Sequence, residues 1–377
     1  MATQPPSQPT SKPLILFTAG ATSYELVRFL GPRGPGEVLL ARRHYADTPG
    51  DLVVIKRLQD AGDAVARARL REEVKLLMQL SHPAIAQVYL VRVHEGSPHL
   101  VMEYVEGHSL ETLTSFAALR RRPFSEAFAA YVGAEVADAL HHAHTLEDAR
   151  GRPLGIVHRD VSPRTLRLDA HGRVKLADFS MAWAKLPGRV GTEGHVIRGD
   201  LAYASPEALL RQPLDGRSDL FSLGVLLLEL LTGLHLLDLD EVERAALAAG
   251  PVPGAETLQA EVPSWLSAPM MAARMACFTP EHVERAMRGL SANMRAILGR
   301  LLRKEPSERF QSGLELRDAL RAVLGGLGYP YGPREAEREA AQVRRDARAR
   351  RRSAEVLRWE DGAPRESSHG DTPARGT

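Results

Sequence analysis

The chain has 377 residues, of which 44% are hydrophobic and 25% charged, and its formal net charge is +2. This composition is typical of a globular protein of one or two domains, and the near-zero charge excludes a global field that would attract nucleic acid or a membrane surface. The single cysteine, Cys277, excludes an intrachain disulfide and indicates a reducing compartment, so we expect a cytoplasmic protein.

The first part of the chain predicts strands on either side of a glycine-rich turn. Residues 1–13 are rich in Pro, Ser, Thr and Gln without an apolar segment, which predicts disorder and excludes a signal peptide. Apolar runs at 14–17 and 24–29 predict strands, and the turn at 30–38 follows them. A further apolar strand is predicted at 52–58.

Alternating helices and strands are predicted next. Helical periodicity over 64–80 places Leu70, Val74 and Leu77 on one face. Strands are predicted at 87–93 and 99–103, and a long helix at 124–145. The longest apolar run, 223–237, contains Glu229 and His235 and is too short to span a bilayer, so it predicts a buried helix and no membrane span.

The segment between these helices carries two acidic loops. His158-Arg159-Asp160 forms a polar turn, a hairpin follows over 166–176, and Asp178 comes directly after it. The hairpin leaves Asp160 and Asp178 at the same end. One carboxylate can then hold a substrate hydroxyl and the other a metal ion.

These motifs, in this order, resemble the eukaryotic-like serine/threonine protein kinases. His-Arg-Asp-Val-Ser-Pro from residue 158 is similar to a bacterial branch, and Asp178-Phe179, the Ser-Pro-Glu ending at Glu207 and the segment from Asp219 to Gly224 follow in family order. The resemblance spans residues 24 to about 325. It implies an α+β, bilobal protein-kinase fold, with a small antiparallel β-sheet lobe carrying one key helix and a larger, mostly helical lobe.

The implied domain boundaries follow from the same resemblance. The N-terminal lobe covers 14–105 and the C-terminal lobe 106–325, with a divergent insertion at 238–290. A Met-rich stretch in the insertion predicts either a docking surface or core packing by flexible methionines. Residues 326–377 are charged and low in complexity, which predicts a disordered, solvated, partly helical tail.

The resemblance also implies roles for individual residues. Asp160 would orient the substrate hydroxyl, Asp178 would hold Mg²⁺, Lys56 would hold the phosphates of ATP, and Glu73 would fix Lys56. The residues expected around ATP are Gly31, Arg33, Gly34, Gly36, Val38, Val54, Lys56, Glu103 and Val105.

Other residues are expected to support or regulate the site. Glu207 would pair with Arg309, and Asp219 would begin the buried helix that fixes the larger lobe. Thr192 is the candidate phosphorylation site, with Arg159 as the partner of its phosphate.

Several positions depart from the family pattern. Thr165 stands where the second metal ligand is normally Asn, which predicts weak magnesium binding. Ser180 replaces a glycine after Asp178-Phe179, and Arg33 replaces the central glycine of the phosphate loop. Arg167 stands at the floor of the adenine pocket, where it would either stack on adenine or swing out, unless a one-residue strand irregularity puts Leu166 or Leu168 there.

Two further departures affect the substrate side of the site. Ser162 stands where a lysine commonly follows the catalytic Asp, and Asp200 stands where a threonine is usual. Both usual residues touch the catalytic Asp, so their joint change predicts a reorganised peptide-substrate site.

The sequence thus supports two functions from different classes. The first is a serine/threonine protein kinase that uses ATP and Mg²⁺, with weakened metal binding, on a protein substrate. The alternative is a pseudokinase, a binding module that retains the fold and acts by contact with a signalling partner. Nucleic acid is not an expected partner, despite the Arg-rich stretch at 344–352. The sequence makes no prediction of the oligomeric state.

Overall fold

The computed structural model describes residues 14–33, 36–46, 48–58, 64, 74, 77–94, 96–179, 182, 196, 197, 199–253, 255, 258–260 and 265–360. The strands are β1 (Ile15–Ala19), β2 (Thr22–Arg33), β3 (Gly36–Tyr45), β4 (Thr48–Leu58), β5 (Val88–His94), β6 (Ser97–Glu103), β7 (Gly107–Ser109), β8 (Leu166–Asp169), β9 (Val174–Leu176), β10 (Val196–Ile197) and β11 (Gln259–Ala260). The helices are α1 (Leu110–Arg120), α2 (Glu126–His144), α3 (Pro206–Leu209), α4 (Gly216–Thr232), α5 (Asp240–Ala249), α6 (Ala268–Cys277), α7 (Pro280–Ala286), α8 (Ala292–Leu301), α9 (Gly313–Gly325) and α10 (Pro333–Glu360).

The N-terminal lobe is built on one antiparallel sheet with the strand order β1-β2-β3-β4-β6-β5. Alternation along β4 buries Val53 and Ile55 in the lobe's own core, while Val54 and Lys56 point to the opposite face. Lys56 pairs in register with Val38 of β3. The sheet therefore presents Lys56 beside the β2–β3 hairpin.

The predicted helix over 64–80 is described at few positions. Val74, Leu77 and Leu80 are buried in the main core, as expected for one apolar face. Leu70 and Glu73 lie outside the described residues.

The C-terminal lobe is organised around two buried helices, α2 and α4, which pack against each other. Helix α4 begins after Asp215, whose side chain accepts from the Arg217 N–H, and ends at Gly233, which has a φ of 70°. The predicted buried helix is present and includes Asp219, but it ends before the apolar run at 223–237 does. The capping residues Asp215 and Gly233, and not the extent of the apolar run, set the two ends of this helix.

A small antiparallel sheet, β7-β8-β9, lies between the segment that joins the two lobes and the loops that carry Asp160 and Asp178. Together with the larger sheet and the helices that follow, it gives the α+β architecture of a β-sheet lobe followed by a helical lobe. The predicted fold class is confirmed. Within the described part of the chain, no helix combines the length and the apolar character needed to cross a bilayer.

The segment at 238–290 contributes helices to the core of the C-terminal lobe. Met271 and Met275 of α6 are buried in the main hydrophobic cluster, together with Phe278 and Val283. These contacts favour the core-packing interpretation of the methionines over a docking surface.

The tail predicted from residue 326 is helical at 333–360, which form α10, but the prediction that this part is disordered and solvated is wrong. Ala336, Ala340, Val343 and Ala347 recur every three or four residues and are buried, and α10 packs on α1. The buried side chains are small and lie between many charged residues, so the mean hydropathy of the segment is low. The buried face of the helix was therefore not recognised from the composition. Residues 361–377 lie outside the described residues.

Polar contacts fasten α10 to the C-terminal lobe. The Glu339 carboxylate accepts from the N–H and hydroxyl of Ser125 at 2.7 and 2.6 Å, at the start of α2. Arg120 of α1 pairs with Asp346 at 3.6 Å. The helix is thus an integral part of the lobe.

Candidate active site

A cleft between the sheet of the N-terminal lobe and the acidic loops contains a cavity of about 320 Å³. Its lining includes seven residues predicted to bind ATP or metal: Gly31, Val38, Val54, Lys56, Glu103, Val105 and Asp178. The backbone of Gly36 and Arg33 forms the β2–β3 hairpin beside it. Gly34 and the side chain of Arg33 lie outside the described residues.

Lys56 and Asp178 face each other inside the cleft. The Lys56 Nζ lies 3.8 Å from the Asp178 Oδ1, and both side chains are largely buried. Asp178 adopts a φ of 65°, a backbone conformation that non-glycine residues rarely take and that costs about 1–3 kcal/mol. The fold thus stores strain where it places this carboxylate beside a cation.

The loop at 158–160 is anchored by Asp219, near the start of α4. Its carboxylate accepts from the N–H groups of His158 and Arg159 at 2.8 and 2.9 Å, and its Oδ2 lies 2.8 Å from the His144 Nε2. Burial opposes ionisation, but the hydrogen bond and charge of His144 and the contacts of His158 hold the pKa of Asp219 below its usual range. Arg159 is held with a φ of 63°.

Asp160 is buried in this loop, and each of its carboxylate oxygens accepts a hydrogen bond. The Arg164 Nη2 donates to Oδ2 at 2.9 Å, and the Asp200 N–H donates to Oδ1 at 2.9 Å. Burial raises the pKa of Asp160 to about 7, the Arg164 charge opposes the rise, and the Asp178 charge adds to it. A carboxylate with a pKa near neutrality is suited to accept a proton from a hydroxyl.

Arg164 is a site residue that sequence reasoning missed. The available signal was a cation four residues after Asp160, in a loop where the usual lysine is Ser162. Its contact with Asp160 depends on how the turn after Asp160 folds back, which a family pattern does not specify.

The Thr165 side chain is hydrogen-bonded within its own loop. Its hydroxyl donates to the Asp160 backbone carbonyl at 2.7 Å and accepts from the Ser162 N–H at 3.2 Å. The side chain is buried within the loop and is not part of the cleft lining. Of the two predicted metal ligands, Asp178 lines the cleft and Thr165 does not, and their metal-binding roles stay predictions.

Side-chain hydrogen bonds fix the backbone of the segment that joins the two lobes, residues 103–107. The Glu103 carboxylate pairs with Lys175 at 2.9 Å and accepts from the Gln87 N–H at 3.1 Å. Arg167 donates to the carbonyls of Val105 and Gly107, both at 3.1 Å. It does not swing out, because its guanidinium is bonded to the joining segment, and it lines the cavity.

The supporting ion pair predicted between Glu207 and Arg309 is present. The guanidinium makes two bonds of 2.7 Å to the carboxylate, and Arg309 is 0% exposed. The Ser218 hydroxyl donates to the same carboxylate at 2.7 Å. Burial opposes ionisation of Glu207, but Arg309 holds its pKa below the usual range.

The predicted partners Glu73 and Thr192 lie outside the described residues, as does Ser180. Their roles therefore stay predictions. The described part of the site brings together Lys56, Asp178 and Asp160.

Comparison with known proteins agrees with this geometry. A sequence model described as the protein kinase domain matches residues 24–320. Serine/threonine-protein kinase PknJ of Mycobacterium tuberculosis is 35% identical over 308 residues, which are 80% of this chain and 46% of that protein. Tyrosine-protein kinase MasK of Myxococcus xanthus is 34% identical over 264 residues, which are 68% of this chain and 40% of that protein.

The chain thus spans about half the length, or less, of these curated relatives. Among solved structures, the kinase domain of Mycobacterium tuberculosis PknI superposes with a TM-score of 0.49 at 24% identity, covering 79% of this chain and 95% of that one. The match to the domain model covers most of the chain and includes both acidic loops. The chain belongs to the protein kinase family, with the kinase domain at residues 24–320.

Proposed function

We propose that the chain transfers the γ-phosphoryl group of ATP to serine or threonine hydroxyls of proteins. The observation that carries this proposal is the meeting of Lys56 and Asp178, 3.8 Å apart, in the cleft beside the buried Asp160. A cation, a carboxylate and a buried base in one cleft are the groups that phosphoryl transfer requires.

The lining and the charge of the cleft support the binding of a nucleotide. Val38, Val54 and Met102 offer apolar contact to a base, and the joining segment at Glu103–Val105 offers backbone groups to its polar edge. The carbonyl of Val105 already accepts from Arg167, so we expect the base to use the other backbone groups of this segment.

The chain's residues divide the chemistry between them. The substrate hydroxyl oxygen forms a bond to the γ-phosphorus, the bond from that phosphorus to the β,γ-bridging oxygen breaks, and the hydroxyl proton passes to Asp160. Lys56 orients the phosphates by charge. Asp178 would hold Mg²⁺, which when bound neutralises the charge of the phosphates. Thr165 would have to leave its loop contacts to assist, so we expect weak metal binding.

The position of Thr165, bonded within its own loop, also supports the alternative function, a pseudokinase. A kinase-like chain with one metal ligand could bind nucleotide or a protein partner without transferring phosphate. In that case the fold would act as a pseudokinase, a binding module.

Phosphoamino acid analysis tests the proposal. The chain, incubated with γ-labelled ATP and Mg²⁺, should label itself or a general acceptor such as casein on serine or threonine. The Asp178→Asn variant should lose most of the label, because it lacks the charge that holds the metal ion. Label on tyrosine alone would contradict the proposed hydroxyl class, and the absence of label in a chain that still binds ATP would favour the binding module.

A further inference from the structure

We propose that the outer face of α10 binds the phosphodiester backbone of a nucleic acid, whatever its base sequence. This face carries a row of exposed arginines and shares no residue with the lining of the nucleotide cavity. The inference is therefore independent of the proposed phosphate transfer. It revises the expectation drawn from net charge, because the fold separates charges that the sequence intermixes.

Five exposed arginines form a single row along α10, the arginine stripe: Arg334, Arg338, Arg345, Arg348 and Arg352. With about 3.6 residues per turn, these positions fall within an arc of about 80° around the helix axis. On the opposite side lie the buried residues that pack against the lobe, Ala336, Ala340, Val343 and Ala347. At a rise of about 1.5 Å per residue, the stripe is about 27 Å long.

The acidic residues of the same stretch are turned away from the stripe. Residues 333–352 contain eight arginines and four acidic residues, and all four acids are half-buried. They bond to the start of α2, to α1, within α10, and to the turn before it, respectively: Glu339, Asp346, Glu337 and Glu335. Arg338 also lies 3.8 Å from Glu335, but 75% of its side chain stays exposed. The outer face of the helix is therefore cationic, although the stretch as a whole is mixed in charge.

The composition of this face distinguishes between the possible anionic partners. Residues 333–352 expose no large apolar side chain, and the apolar side of α10 is already covered by α1 and the lobe. A stable protein interface has an apolar core, and an interfacial helix inserts an apolar face into the bilayer. Nucleic acid requires neither, because its sequence-independent binding comes from phosphates that exchange their counterions for cationic side chains. The stripe thus favours nucleic acid over a membrane or an acidic protein.

The length of the stripe also fits a duplex. One strand carries a phosphate about every 3.4 Å along the axis, so about eight phosphates face a contact of about 27 Å. Each guanidinium can donate two parallel hydrogen bonds to a phosphate. With five contacts, the logarithm of the binding constant should fall with the logarithm of salt concentration with a slope of about −4.5, which is about −0.9 times five.

Fluorescence anisotropy of a labelled DNA duplex of about 20 base pairs, titrated with the full chain without ATP, measures this binding. Between about 50 and 200 mM salt, the affinity should fall about 500-fold, the change that a slope of about −4.5 implies. No binding at the lowest salt would overturn the proposal. Tighter binding to vesicles of phosphatidylcholine and phosphatidylserine than to the duplex would also overturn it, because the surface would then serve a membrane.

Neutralising the stripe tests whether these arginines make the contact. The combined substitution Arg338→Gln, Arg345→Gln and Arg348→Gln keeps good helix formers at exposed positions, so the helix should stay folded. The affinity for the duplex at low salt should fall about 100-fold or more, and the slope should fall to about −1.8. Lysine at the same three positions keeps the charge and should bind within about fivefold of the wild type. A lysine variant that binds as weakly as the glutamine variant would contradict the proposed phosphate contacts.

A matched control removes the same charge from other elements. Arg152, Arg244 and Arg285 lie outside α10 and α1, and all three side chains reach solvent. Their combined replacement by glutamine should leave the affinity and the salt slope unchanged. Equal losses in the two triple-glutamine variants would show that binding follows net charge alone and would overturn the assignment of the site to α10.

Discussion

Asp160→Asn is expected to lower phosphate transfer by about 10²- to 10⁴-fold, the usual contribution of a positioned general base. Asparagine has nearly the same shape, and its single oxygen can accept from either Arg164 or the Asp200 N–H. It cannot accept the hydroxyl proton. The loss should therefore appear in kcat, measured by initial rates of label transfer, while the unfolding midpoint stays close to that of the wild type.

Asp148→Asn is the control for this substitution. Asp148 accepts from Arg152 and from two backbone N–H groups in an exposed turn, so its loss disturbs a similar ion pair away from the cleft. Its transfer rate should equal that of the wild type. A loss of less than about fivefold in Asp160→Asn would show that Asp160 is not the base.

Arg309→Ala should have the largest effect on stability, lowering the free energy of unfolding by about 3–5 kcal/mol. The substitution leaves the Glu207 carboxylate buried without its main cation. It also removes donors to the backbone carbonyls of Arg303 and Lys304, at 2.8 and 2.7 Å. Urea unfolding followed by circular dichroism gives this free energy directly.

Arg173→Ala is the matched surface variant. Arg173 pairs with Asp169 at 2.8 Å but its side chain is 63% exposed, and Asp169 keeps two backbone donors without it. The expected loss is below about 1 kcal/mol. Equal losses in the two variants would contradict the structural role of the buried pair.

Much of the candidate site could be predicted because its chemistry is encoded in local motifs. Asp160 and Asp178 lie at one end of the β8–β9 hairpin, as strand alternation and turn residues indicated. The Glu207–Arg309 pair was also predicted, because the family motifs that this chain resembles carry both residues.

The contacts that sequence reasoning missed depend on side-chain direction. Arg164 turns back to Asp160, Thr165 turns into the loop, and Arg167 reaches the Val105 carbonyl. A residue pattern identifies these side chains but does not say which of several nearby acceptors each one reaches. Those choices follow from the backbone path of the loop and from burial.

The missed packing of α10 on the lobe has a different cause. Its buried stripe consists mainly of alanines, so the composition of 333–360 resembles that of a solvated segment. The spacing of Ala336, Ala340, Val343 and Ala347 carried the signal. Average hydropathy concealed it, because charged residues outnumber the apolar ones.

Thermal unfolding with ATP, with and without Mg²⁺, tests the central claim that the cleft is a working nucleotide site. At 100 times the dissociation constant, ATP should stabilise the wild type by about 2.7 kcal/mol, a shift of several degrees. The shift should need Mg²⁺ and should be lost in Lys56→Ala but kept in Lys304→Ala, a lysine remote from the cleft that donates to the Ala276 carbonyl. An ATP shift that is equal in wild type and Lys56→Ala, or no shift at any ATP concentration, would contradict the account.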